Sequence, residues 1–244
     1  MESVKERIFS ERIHGKSIKP RAELIWGWST PAGKQRIERR IEALKDNAQI
    51  DSRHRVLELG CGTGLVSRRI AESCKELIAI DISDELLAVA KEKSSKSNIQ
   101  YLMQDIHAAS FEENSFDAVI GSSILHHLEI NRALREIYRL LKPGGHIAFT
   151  EPNMLNPQIV LQKNIIFIKK LLGDSVFETA FTRCALRRKL QKAGFKRISI
   201  TPFDFLHPFT PKPLIGIISC IGSILERIPL LREIAGSLLV VAEK

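Results

Sequence analysis

One run constrains the fold of this chain more than any other: Val56-Leu-Glu-Leu-Gly-Cys-Gly-Thr-Gly64. An apolar strand ends in Gly60, Gly62 and Gly64, and helical patterning resumes at Leu65. Glycines at those places let the backbone turn tightly and come close to a ligand. The helix that follows presents its first amides there, a ready site for a carboxylate. Dinucleotide-binding turns are built similarly, but their fingerprint asks for Gly or Ala three positions after the second glycine. Counted from Gly62 that position is Leu65, which disfavours a dinucleotide.

The rest of the chain predicts an α/β fold around this turn. Strands are expected at Arg55–Leu59, Leu77–Ile80, Ile99–Met103, Phe116–Ile120 and His146–Thr150. Helices are expected between them: Leu65–Ser73, a helix from the Ser83-Asp-Glu cap to about Lys93, and Arg132–Leu141. Pro143-Gly144-Gly145 is read as the stop of the last of these. Alternation of this kind argues for a parallel sheet with helices on both faces. Later elements are a helix from Thr182 to Gly194 and strands at Phe195–Thr201 and Ser237–Ala242. The division expected is a helical cap over residues 1–50 and a cofactor-binding domain over 51–244, with insertions at 152–181 and 202–236.

The glycine run resembles the first motif of the class I S-adenosylmethionine-dependent methyltransferases, and further segments follow in that family's order. The resemblance implies a Rossmann-like, doubly wound, mostly parallel sheet with an antiparallel last strand. It also implies S-adenosyl-L-methionine as cofactor. Asp81 matches the acidic residue that accepts from both ribose hydroxyls, and Ile82 the apolar residue packed on adenine. Asp105, in Gln104-Asp105-Ile106, matches the acceptor of the adenine amino group. Phe116–Leu128 matches the fourth-strand segment, which contains Ser122, and Leu140–Gly145 matches the turn before the fifth strand. The cofactor-binding set is thus Glu58, Gly60, Cys61, Gly62, Gly64, Asp81, Ile82, Asp105, Ile106 and Ser122.

Within that set, Glu58 lies in a strand, where a structural bond to loop amides competes with cofactor contact. Cys61 reads as a small filler rather than a nucleophile. Trp26 and Trp28 read as packing residues, with a wall of the cofactor pocket as the competing reading. Arg36, Arg39 and Arg40 read as a solvated helix face, with one of them reaching the methionine carboxylate as the competing reading.

Transfer of an activated methyl group needs alignment and exclusion of water, and an acceptor hydroxyl or carbon acid also needs a base. His126, His127 and Glu151 lie at the carboxyl edge of the sheet and are the catalytic candidates. For each of them a structural role, as cap or packing, competes.

The formal charge of +9 points to an anionic partner. Nucleic acid is disfavoured: Gly121-Ser-Ser-Ile-Leu replaces the Asn/Asp-Pro-Pro-aromatic turn of base amino methylation, and no Pro-Cys pair occurs. No metal-ligand spacing is present, and the four cysteines read as reduced thiols. The stripe Leu214, Ile217, Ile218, Ile221, Ile224, Leu225 and Ile228, with the basic and apolar Ile159–Leu172, is read as a lid over an apolar pocket. A core-packed helix pair is the competing reading.

The expected function is O- or C-methylation of a small, apolar or lipid-like acceptor, in the cytoplasm and with peripheral contact to anionic membranes. A nucleic-acid methyltransferase and a non-catalytic cofactor-binding protein are the alternatives. The sequence does not give the oligomeric state.

Overall fold

The computed structural model describes residues 6, 9, 12, 13, 15–164 and 180–244. Its centre is a seven-stranded sheet of strands β1 (Arg55–Leu59), β2 (Glu76–Asp81), β3 (Ile99–Met103), β4 (Phe116–Ser122), β5 (Leu141–Pro152), β6 (Lys196–Phe203) and β7 (Ser237–Glu243). The order across the sheet is β3-β2-β1-β4-β5-β7-β6. The first five strands pair in parallel, and β7 runs antiparallel between β5 and β6. The expected architecture, including the antiparallel last strand, is the one found.

Side-chain alternation along the strands decides which helix covers which face. Val56, Leu77, Ala118 and Ile120 point toward helices α1 (Pro31–Asn47) and α2 (Leu65–Ile70). Ala79 and Tyr101, on the same face, meet α3 (Asp84–Glu92). Leu57, Ile78, Val119 and Ile147 form the opposite core with α4 (Ile130–Leu140) and α6 (Arg183–Ala193). Strands buried on both faces explain the nearly unbroken apolar runs of the sequence.

Two local readings change. Helix α4 ends at Leu140, and Leu141 is already extended and paired with Phe116, so Pro143-Gly144-Gly145 lies within β5 rather than stopping the helix. A register shift between Phe116 and Ala118 accommodates the extra residues. Helix α2 closes at Ile70 rather than at Ser73.

The larger correction concerns helix α7 (Ile215–Leu225). Its isoleucine stripe faces outward: Ile217, Ile221 and Ile224 are 60%, 51% and 54% exposed. The helix packs through the side that holds Gly222, which is buried, and Ile215, Ile218, Ser219 and Leu225, which are half-buried. A Cβ at Gly222 would sit 3.2 Å from Phe205, and the Ser219 hydroxyl accepts from Gln35 of α1. Helix α5 (Pro157–Asn164) begins the other insertion, and the remainder of the expected lid helix, with Lys169 and Lys170, lies outside the described residues.

The three arginines of α1 are not a solvated face either. Arg36 binds the Asp204 carboxylate at 2.8 Å, and Arg39 binds Glu226 at 2.8 Å. Arg40 is buried, donates to the Ser237 hydroxyl at 2.6 Å and lies 3.6 Å from Asp204. Burial pushes the Arg40 guanidinium down to about 10, with Arg36 adding repulsion and Asp204 and Glu151 opposing, so it stays charged at neutral pH. Glu226 also accepts from the Asp204 amide. These pairs clasp the 202–236 insertion onto α1.

Breaking a buried ion pair from one side leaves an uncompensated charge. Asp204→Asn, which tolerates the left-handed backbone there (φ 74°), is expected to cost about 3 kcal/mol. That corresponds to a melting temperature lower by about 6–12 °C for a chain of this size. An unchanged melting curve would contradict the clasp.

Candidate active site

The glycine turn and the ends of β2, β4 and β5 meet at the carboxyl edge of the sheet, where ligands bind in open α/β folds. Gly62 has φ 51°, and a Cβ there would lie 3.0 Å from the Trp26 ring, so Trp26 lies against the turn. A Cβ at Gly60 (φ 65°) would strike Ile124 at 2.5 Å. Only glycine satisfies both the backbone and these close approaches. Gly64 caps α2 in a left-handed conformation.

Asp81 ties the turn to β2. One carboxylate oxygen accepts from the Gly62 amide at 2.8 Å and the other from the Ser83 amide at 2.9 Å. A carboxylate has about four acceptor positions, so both oxygens can still take a ribose hydroxyl. Burial raises the Asp81 carboxyl above its usual range, against the pull of these amides and of the nearby His127. Ile82 follows Asp81 and is half-buried.

Asp105 is held by a residue that the sequence reading passed over. Its Oδ1 receives the His107 amide at 3.0 Å and sits 2.6 Å from the His107 Nδ1. The His107 Nε2 accepts from the Glu129 amide at 3.0 Å, so the ring proton is on Nδ1 and is donated to Asp105. Burial alone would raise the Asp105 carboxyl, but these donors hold it below its usual value. The second oxygen is left for a donor such as an adenine amino group. Ile106 is buried in the core, so its backbone is what it can offer a ligand. A histidine two places after an aspartate carries no sequence signal that distinguishes this role.

Glu58 is buried in β1, and its Oε2 has no hydrogen-bond donor. Burial pushes its carboxyl up to about 7, with Asp81 adding to the rise and the adjacent Ser67 hydroxyl and Arg68 only partly offsetting it. The bond to loop amides that competed with cofactor contact is not formed by this oxygen. A buried acceptor without a donor beside a glycine cradle fits the ammonium end of S-adenosylmethionine. Cys61 is also buried, and burial, Asp81 and Glu58 together hold its thiol protonated, which makes it a poor nucleophile.

The other half of the site is organised by Glu151, whose carboxylate is completely buried. Oε1 accepts from the Ile124 and Leu125 amides at 3.0 and 2.8 Å, and Oε2 from the His126 amide at 3.3 Å. With three amides donating, the carboxylate acts as acceptor toward the His126 Nδ1 as well, at 2.7 Å. The His126 proton therefore sits on Nδ1 and the basic lone pair on Nε2. The His127 ring stacks obliquely on His126, with centroids 4.2 Å apart. Ser122 ends β4 and receives the Thr150 hydroxyl at 2.9 Å. Ser123 follows with φ 57°, a conformation non-glycine residues seldom adopt, and Arg40 reaches its hydroxyl at 3.3 Å. The structure thus brings His126, His127 and Glu151 together, with Arg40 beside them. Among the described residues no cluster of His, Cys, Asp and Glu is arranged to hold a metal ion.

Residues 57–149 match a family model described as a methyltransferase domain. An uncharacterized methyltransferase of Mycobacterium bovis is 36% identical over 105 residues, 41% of this chain and 53% of that protein. A ubiquinone biosynthesis O-methyltransferase of Coxiella burnetii is 29% identical over 140 residues, 54% of this chain and 59% of that protein. The chain thus spans little more than half the length of these curated relatives. The crystal structure of an S-adenosylmethionine-dependent methyltransferase from Mesorhizobium loti has the same fold. Its TM-score is 0.64 at 22% identity, covering 83% of this chain and 96% of that one.

Glu58 gives the site a pH signature. Its carboxyl rises from an ordinary 4.5 to about 7 in the folded state, so its contribution to stability is complete below about pH 4.5 and is lost as pH rises through about 7. Between about pH 5 and about pH 8 the cofactor-free protein is expected to lose about 3 kcal/mol relative to Glu58→Gln. Urea denaturation of both proteins at the two pH values measures this. A constant difference would show that Glu58 is already ionised in the folded protein.

Proposed function

We propose that the chain is a class I S-adenosylmethionine-dependent methyltransferase, in line with the methyltransferase domain matched over residues 57–149, and that it methylates an oxygen or carbon of a small, apolar or lipid-like acceptor. The observation that carries the reading is the buried His126–Glu151 pair at the carboxyl edge of β4 and β5. S-adenosylmethionine, when bound, supplies a methyl group on a sulfonium that needs no further activation. Asp81, Asp105 and Glu58 are the residues that would orient it, through ribose, adenine and the ammonium respectively, with the turn Gly60–Gly64 admitting its backbone-side atoms.

His126 is the residue that takes the acceptor's proton. Glu151 fixes the ring with its Nδ1 proton inward, which makes Nε2 the base, and stabilises the imidazolium that forms. Three amides also donate to Glu151 and hold its carboxylate in place. Arg40 contributes a nearby positive charge that steadies the same carboxylate. His127 stacks on His126 and acts electrostatically on Asp81, which makes it a candidate positioning residue. A base of this kind suits a phenol or enol, and methylation of a strongly nucleophilic amine would not require it. The O-methyltransferase of ubiquinone biosynthesis among the relatives supports an oxygen acceptor on an apolar molecule.

Incubation with methyl-labelled cofactor and a cell extract is expected to move label into the organic-soluble fraction. Label confined to nucleic acid would overturn the reading. With the acceptor in hand, His126→Ala is expected to lower turnover by about 10²–10⁴-fold. Cofactor affinity by calorimetry should stay within about threefold, since the ring acts on the acceptor rather than on the cofactor. Full turnover in a folded variant would leave His126 as a structural partner of Glu151.

A further inference from the structure

Helix α7 is built the wrong way round for a core helix. Isoleucines at 217, 221, 224 and 228 recur at helical spacing on one side, and that side is the exposed one. The short helix α8 (Pro229–Arg232) continues the surface, with Leu230 85% exposed. Exposed Leu155, Val160 and Leu161 at helix α5 belong to the same end of the molecule, because the Asn156 side chain donates to the Ile234 carbonyl at 2.8 Å. The Asn153 side chain likewise donates to the carbonyls of Glu233 and Ala235. An exposed apolar face formed by two insertions is larger than the scattered apolar residues of an ordinary surface.

Among the described residues of the 202–236 insertion, the charges left without an ion-pair partner beside this face are positive. After Asp204 the insertion carries only two carboxylates, Glu226 and Glu233, and both are drawn into ion pairs with Arg39 and Arg183. Lys212 and Arg227 remain exposed. Among the described residues of the other insertion, Leu155, Val160 and Leu161 carry no charge. Apolar bulk flanked by exposed Lys212 and Arg227 is the composition of a surface that lies in an anionic interface. No described helix is long and apolar enough to cross a bilayer.

We propose that the face formed by α7, α8 and α5 docks on the surface of an anionic phospholipid bilayer. This extends the reading of an apolar acceptor, since the docked face adjoins the strand that carries Glu151 and would receive the acceptor from the lipid. The isoleucines enter the boundary between headgroups and acyl chains, and Lys212 and Arg227 meet lipid phosphates. The clasp of Arg36, Arg39 and Arg40 holds α7 rigid against α1, so docking needs no rearrangement of the insertion.

Cosedimentation with vesicles, with neither cofactor nor acceptor present, tests docking separately from the acceptor reading. Wild-type protein is expected to bind vesicles of phosphatidylcholine with phosphatidylglycerol at low salt, to release as salt rises, and to bind pure phosphatidylcholine weakly. Ile221→Asn with Ile224→Asn is expected to reduce partitioning by at least about tenfold, as is Lys212→Glu with Arg227→Glu. Melting temperature and cofactor affinity should not change, which shows that the variants are folded. Failure of the wild type to bind anionic vesicles at low salt would overturn the proposal. So would binding that both double variants retain. A wild-type dimer dispersed by the isoleucine substitutions, with no vesicle binding, would assign the face to a second copy of the chain instead.

Discussion

The carboxylate of Glu151 is the constraint from which the site is built. A fully buried charge must be met by donors, and here the donors are the amides of Ile124, Leu125 and His126. Satisfying them fixes the loop after β4, including the left-handed turn at Ser123. That loop in turn carries Ile124 against Gly60, so tightly that only a glycine fits. The turn expected to hold the cofactor and the loop expected to hold the acceptor are thereby packed directly on each other. A shift in one is felt by the other, which is what alignment of a methyl donor and its acceptor requires.

A second set of charges extends this frame outward. Arg40 sits close to Glu151 and also bonds Ser123 and Ser237, at the ends of β4 and the start of β7. Through Asp204 it is linked to Arg36 and the 202–236 insertion. Buried ion pairs seldom add much net stability, but they dictate geometry. Here they seat an insertion whose own apolar side is turned away from the core. Hydrophobic packing alone would have buried that stripe and left α7 in a different orientation.

Much of this was legible in the sequence because it is local. The glycine run, the Asp that ends β2 and the caps at Ser83 and Thr182 depend on nearest neighbours and strand edges. Alternation of apolar strands and helices fixed the fold class for the same reason. What could not be read depends on pairs far apart in the chain. Arg36, Arg39 and Arg40 spell an exposed basic helix face until Asp204 and Glu226 are brought beside them. His107 acquires meaning only when the Glu129 amide assigns its tautomer. The stripe of α7 has core periodicity, and nothing in it announces that Ile217, Ile221 and Ile224 are exposed while Gly222 is the residue that is buried. The start of β5 was misjudged because Pro-Gly-Gly ordinarily ends a helix, whereas pairing of Leu141 with Phe116 had already ended it.

The central claim is that Glu151 sets the protonation of His126. Nitrogen-15 NMR of the imidazole rings in the ligand-free protein tests it directly, with the His126 signals identified by their loss in His126→Ala. The neutral ring is expected to be protonated at Nδ1, with that proton in a hydrogen bond to the carboxylate and Nε2 carrying the lone pair. A neutral His126 ring protonated at Nε2 instead would contradict the account, because its Nδ1 could then not donate to Glu151 and its Nε2 could not act as the base.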